Sequence, residues 1–113
     1  MATYTVQQVA EAGTLGTYTA VSATDTFTPL NDLPHILHVK NAGGSSDTVT
    51  VDDPNAVTPI AATAFNPDQT GAVANATERF FRIDPRRCRT PGTGVITVTH
   101  SFTTTVTAAV FVG

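Results

Sequence analysis

Residues 90–113 contain no Asp, Glu, Lys or Arg, and their apolar residues recur at every second position. Ile96, Val98 and His100 fall on one side of an extended chain, with Thr97 and Thr99 on the other. After Thr103-Thr104-Thr105, Val106, Ala108, Val110 and Val112 again share a side. A period of two over both runs marks β-strands, and β-branched side chains suit a pleated surface. Two long uncharged strands this close together predict a β-hairpin over 94–112. Such strands aggregate when their edges are left open, so the hairpin is expected inside a sheet or covered by a partner.

The rest of the chain speaks the same language. Charged residues make up 13% of the 113 residues, against roughly 25% in an average soluble domain. Thr and Val stand where Lys and Glu would fill helix surfaces; Lys occurs once and Glu twice. Strands are expected near Tyr18 and, more weakly, near Phe27. His35–Lys40 alternates with Leu37 and Val39 inward, and Thr48–Val51 with Val49 and Val51 inward. The turn chemistry of residues 41–47 between them predicts an antiparallel hairpin. Thr77–Ile83 places Phe81 and Ile83 on one face, Phe80 and Arg82 on the other. Ile60–Phe65 reads as a brief edge strand among Pro54, Pro59 and Pro67. Residues 29–34 form a turn with Asn31-Asp32 at its tip. Pro85 ends a strand, and residues 86–94 read as a loop.

Residues 1–13 allow two readings. Thr5 and Gln8 match a capping box for a two-turn helix with Val6, Val9 and Ala10 on one face and Gly13 as its stop. Tyr4 and Val6 also alternate, which suits an extended arm. The expected fold is thus all-β: one domain over 1–113, an antiparallel β-sandwich or barrel of seven or eight short strands, with a short N-terminal helix or arm.

Charge narrows the function. Residues 1–77 carry one base against seven acids, and residues 78–89 five bases against two acids, for a net charge of −3 overall. An acidic body disfavours general nucleic-acid binding. No apolar run approaches a membrane span, and residues 1–5 lack the basic and apolar pattern of a signal peptide. No nucleic acid, membrane or small-molecule substrate is therefore expected as a partner.

Nor do the reactive residue types converge. His35 and His38 lie three apart in a strand and point to opposite faces, so no metal site is expected; one should pack and the other meet solvent. His100 shares the apolar side of its strand and should be a buried histidine with one satisfied nitrogen. Asp52-Asp53 lacks the alternating oxygens of a calcium loop. Gly43-Gly44-Ser45-Ser46 has no following lysine and reads as a flexible tip. Cys88 cannot form an internal disulfide; Arg86, Arg87 and Arg89 around it would lower its thiol pKa, but no base is near, so it reads as a bystander. No catalytic residue and no cofactor is expected. The arginines of 86–89 carry the most weight: they either pair with acids of this chain or dock on an acidic protein surface.

Several blocks resemble the small β-rich head decoration, or cement, proteins encoded beside the major capsid protein of tailed bacteriophages. They are Tyr4-Thr5-Val6-Gln7 with Gly13 and Tyr18; Phe27 with Asn31-Asp32 and Leu37-His38-Val39-Lys40-Asn41; Thr48-Val49-Thr50-Val51; and Ile83 and Pro85 followed by residues 94–101 and 106–110. The chain departs from the group at His100, where an aromatic is expected, at Asp84, where glycine is expected, and in the run Arg86-Arg87-Cys88-Arg89. The resemblance implies a non-enzymatic virion protein, made in the bacterial host cytoplasm and bound to the outer capsid surface. There it would stabilise the assembled major capsid protein lattice, with self-association on the capsid surface possible in this group. Docking is expected through a mobile N-terminal stretch, Ala2, Thr3, Tyr4, Thr5 and Val6, through Arg86, Arg87 and Arg89, and through an edge of the 94–112 hairpin. A head–tail connector or tail component and a surface glycan-binding module are the alternatives; the absence of Trp counts against the latter.

Overall fold

A computed structural model describes residues 1–54 and 68–113. Among them run β1 (Thr3–Tyr4), β2 (Val6–Gln8), β3 (Thr19–Ala20), β4 (Thr24–Phe27), β5 (His35–Asn41), β6 (Asp47–Val51), β7 (Gln69–Val73), β8 (Thr77–Ile83), the single helical turn α1 (Pro85–Cys88), β9 (Ile96–His100) and β10 (Val106–Val112). The first sheet has the order β1-β4-β9-β6-β7; the second has β2-β10-β5-β8, with β3 also paired to β10. Both are open sheets, not a closed barrel, and their inward residues share one apolar core. The all-β expectation holds. The ten strands of the described residues exceed the expected seven or eight, because β1, β2 and β3 are only two or three residues long and β7 carries little apolar signal. The Ile60–Phe65 strand expectation lies outside the described residues.

The alternating residues are the core. Phe27, Leu37, Val39, Val49, Val51, Ile83, Ile96 and Val98 are fully buried. Each such side chain contributes roughly 1.5–3 kcal/mol, so two or three per strand outweigh any local preference. Phe81 and Ile83 face in while Phe80 and Arg82 face out, as their spacing predicts.

Two expectations about pairing fail for one reason. Alternation says which side chains face the core; it does not say from which sheet, because both sheets face the same core. β5 and β6 do not form a hairpin: β5 pairs with β10 and β8, and β6 with β7 and β9. Likewise β9 and β10 are no hairpin; each is an inner strand of a different sheet. The expectation that these uncharged strands sit inside a sheet is met, but neither offers a free edge for docking. Asn41 braces the first crossing: its amide donates to the carbonyls of Ser45 (2.7 Å) and Val73 (2.9 Å), and its side-chain oxygen accepts the Gly43 N–H (2.9 Å). The second crossing lies against it. A Cβ on Gly43 would come within 2.3 Å of the Thr104 carbonyl oxygen and 2.5 Å of the Phe102 ring, so this tip is a packed contact requiring glycine.

The N-terminal helix expectation is also corrected. β1 pairs in parallel with β4 and β2 in parallel with β10, making both sheets mixed instead of antiparallel. Thr5 carries the chain from one sheet to the other. A two-turn helix would leave most of its backbone groups unpaired, whereas this path pairs backbone on two sheets and buries Tyr4 and Val6. Residues 86–94 begin as a helical turn, not a loop. Asp84 accepts the Arg86 N–H at 3.0 Å and Pro85 occupies the first helical position, both strong start signals. Among the described residues, no helix is long and apolar enough to cross a membrane.

Candidate functional site

The most concentrated polar chemistry lies inside the core. Asp25, Asp47 and the His100 side chain are fully buried, and Tyr4 nearly so. Asp25, the second residue of β4, accepts N–H groups from Ala2 (2.9 Å) and Ser22 (3.1 Å). It also accepts the Tyr4 hydroxyl. His100, at the end of β9, reaches Asp47 through Nδ1 (2.7 Å), and its Nε2 lies 3.1 Å from the Tyr4 oxygen and 3.6 Å from Asp25. Asp47 also accepts the Phe102 N–H at 3.2 Å.

A carboxylate only accepts, so the single Tyr4 proton goes to Asp25. Each ring nitrogen of His100 has a polar partner, Asp47 at Nδ1 and the Tyr4 oxygen at Nε2. Burial, and then Asp25, push the Tyr4 phenol far above its ordinary value, which keeps it a donor. The network joins β1, β4, β6 and β9, four of the five strands of the first sheet. It has the residue types of an acid–base site, but a side chain sealed from solvent meets no substrate, and every member is engaged with another. His100 therefore has both nitrogens satisfied, where one was expected.

His100 faces inward, as its spacing predicts, but its pairing with Asp47 and Tyr4 is not among the expectations. The signal was present: Asp47 is in phase with Val49 and Val51, Asp25 with Phe27, and Tyr4 with Val6. An acid at an apolar position of an alternating strand must find a partner across the core.

The arginines of 86–89 are each met by an acid of this chain. Arg87 reaches the buried Asp53 at 3.1 Å, Arg86 lies 3.6 Å from Asp84, and Arg89 pairs with Asp32 while donating to the Asn31 carbonyl at 3.2 Å. The internal-pairing alternative thus describes their geometry. These contacts fasten α1 to the turn at 31–32 and to the segment after β6. Cys88 is buried beneath them, and burial, then Asp53, push its thiol up to about 11 against the opposing pull of Arg87. The expectation of a lowered thiol pKa is reversed. Of the N-terminal residues, Thr3 and Thr5 face solvent, Ala2 is half-buried, and Tyr4 and Val6 face the core. This stretch is built into two sheets and is not a mobile arm.

The outer faces complete the surface. That of the first sheet is a threonine array: Thr26 stands opposite Thr97, and Thr99 lies between Thr24 and Thr50. That of the second is aromatic. Its middle row runs Ala109, His38, Phe80 across β10, β5 and β8, flanked by Phe111 and Ile36 on one side and Lys40 and Glu78 on the other. Phe80 is 61% exposed and stacks on His38 with 4.0 Å between centroids; the Tyr18 hydroxyl meets His38 Nδ1 at 2.6 Å, and Lys40 sits 3.9 Å above the Tyr18 ring. His38 does not meet solvent as expected: both it and His35 are buried. His35 donates from Nδ1 to the Leu33 carbonyl (2.7 Å) and accepts the Leu30 N–H (3.2 Å), which pins the turn before β5.

Comparison with protein-family models, with curated proteins and with solved structures finds no match to this chain.

Proposed function

We propose that this chain is a non-enzymatic β-sandwich that binds the assembled major capsid protein lattice of a tailed phage from outside and stabilises it. The sequence blocks that resemble head decoration proteins raise the reading. The observation that carries it is the division of chemistry between inside and outside. Acid, histidine and phenol are enclosed and mutually satisfied, while the wide outward surfaces are a threonine face and an aromatic face. Such a molecule is equipped to cover another surface, not to turn over a substrate.

Stabilisation would follow from mass action: a ligand of the assembled lattice alone lowers the free energy of that state, and many copies multiply the effect. The purified chain, mixed with expanded shells that lack it, should co-sediment with the shells and leave free capsid subunits unbound. Failure to bind shells overturns the reading. Copy number separates it from the connector or tail alternative: hundreds per particle belong to decoration, and a ring of about six or twelve to a connector.

A further inference from the structure

The second sheet ends on β8, and this edge differs from the others. β1, β2 and β3 offer two, three and two residues, and β7 offers Gln-Thr-Gly-Ala-Val. β8 is seven residues long, free of Gly and Pro, and carries the exposed Phe80 at its centre. Among the described residues β8 pairs with a strand on one side only, β5, and a long edge of this kind is a template for another strand. The Gln69 side chain, reaching round from β7, donates to the Arg82 carbonyl at 3.1 Å, so that carbonyl faces away from β5. In an antiparallel ladder the N–H and C=O of one residue share a side, and alternate residues share it too. Glu78, Phe80 and Arg82 therefore aim their backbone groups out of the edge.

We propose that β8 pairs with β8 of a second copy of this chain, antiparallel and centred on Phe80. This register is self-complementary in charge. It sets Glu78 opposite Arg82 of the other copy, and Arg82 opposite its Glu78, with the two Phe80 rings side by side on the two-fold axis. All three residues stand on the outer face, where cross-strand ion pairs and aromatic pairs form. Residue meeting residue in both directions is what a two-fold interface demands. Shifting the register by two residues loses both charge pairs. The aromatic faces of the two copies would join into one surface twice as wide. The inference rests on the edge alone and stands whether or not the chain binds capsids.

The oligomeric state of the full chain by analytical ultracentrifugation is the first test; a dimer is expected. Charge reversal then reads the register. E78R and R82E alone each place like charges opposite one another at both ends, and each should raise the dimer Kd by roughly tenfold or more. An equimolar mixture of the E78R and R82E chains restores both pairs and should form the heterodimer; so should the E78R/R82E double variant as a homodimer. The double variant also keeps the test sound where a single reversal fails to fold. F80C should cross-link to itself under mild oxidation, because paired Cα atoms in this register lie about 5.5 Å apart, whereas T77C, placed near the far end of the partner strand, should not. A chain that stays monomeric at high concentration, a dimer unmoved by either reversal, or reversals that the mixture does not rescue would each overturn the pairing. So would an edge filled by a strand of another protein in place of a second copy.

Discussion

Two polar clusters tie this molecule together, and both are built around aspartates, on opposite terms. Asp25, Tyr4, His100 and Asp47 lie buried in the core and bond to one another. Arg86, Arg87 and Arg89 meet Asp84, Asp53 and Asp32 at the surface, where all but Asp53 are at least partly exposed. Inside, each charge is expensive to bury and is tolerated only because its partners are complete. Outside, water replaces a lost partner at little cost. The inner cluster should therefore respond to removal of any member, and the outer one in proportion to the burial of its acids.

The sharpest way to break this contrast is Asp47→Ala. It strands the buried His100 Nδ1 and the half-buried Phe102 N–H, and removing one partner of a buried pair costs about 3–5 kcal/mol. Urea unfolding should show that loss as a lower midpoint, with Asp47→Asn recovering part of it by keeping one acceptor. A loss below about 1 kcal/mol would mean that water reaches the network. Next in size is Arg87→Ala, which leaves Asp53, at 4% exposure, without its guanidinium. The expected cost is about 1–3 kcal/mol for a buried acceptor deprived of a charged donor, again read from urea unfolding.

The asymmetry between the clusters also explains what was legible in the sequence. Alternation marked the inward residues of β5, β6, β8, β9 and β10, because burial of apolar side chains at every second position is a local property. It left pairing undetermined: the crossings at 42–46 and 101–105 depend on Asn41 and Gly43 meeting residues some thirty to sixty positions away. The arginines stood out because they are adjacent in sequence, yet their partners are dispersed over Asp32, Asp53 and Asp84. The inner network was hidden for the converse reason. Its four members come from four strands, and each looks ordinary in its own segment. Only the phase of Asp25 and Asp47 with buried neighbours betrayed them.

His38 lies between the two extremes, buried on the outer face but beside the exposed Glu78 at 3.5 Å. Burial lowers its pKa from 6.5, and the pull of Glu78 upward does not overcome this; Lys40 adds to the lowering. The unfolded chain therefore takes up this proton first as pH falls. The contribution of His38 is complete above its unfolded pKa and is lost as pH drops through the lowered folded value. Stability measured between about pH 7.5 and pH 5.5 should fall more steeply in the parent chain than in His38→Asn. Groups facing the ring from its neighbours are Tyr18, Lys40, Glu78 and Phe80. Equal slopes would show that proton uptake at this ring is the same in both states.

The smallest effect is expected at Arg86. Its side chain is 72% exposed, and its 3.6 Å contact is to Asp84, which remains bound to the Arg86 N–H whatever side chain stands at 86. The cap of α1 uses backbone, so Arg86→Ala keeps it and forfeits only a solvated ion pair. A change within about 0.5 kcal/mol is expected, with no shift in the urea midpoint beyond error. Asp84→Ala, by contrast, removes the capping acceptor and should cost about 1 kcal/mol. If Arg86→Ala matched Arg87→Ala instead, burial of the acid would not be what separates them, and the three arginines would have to act as one coupled unit holding α1 against the 31–32 turn.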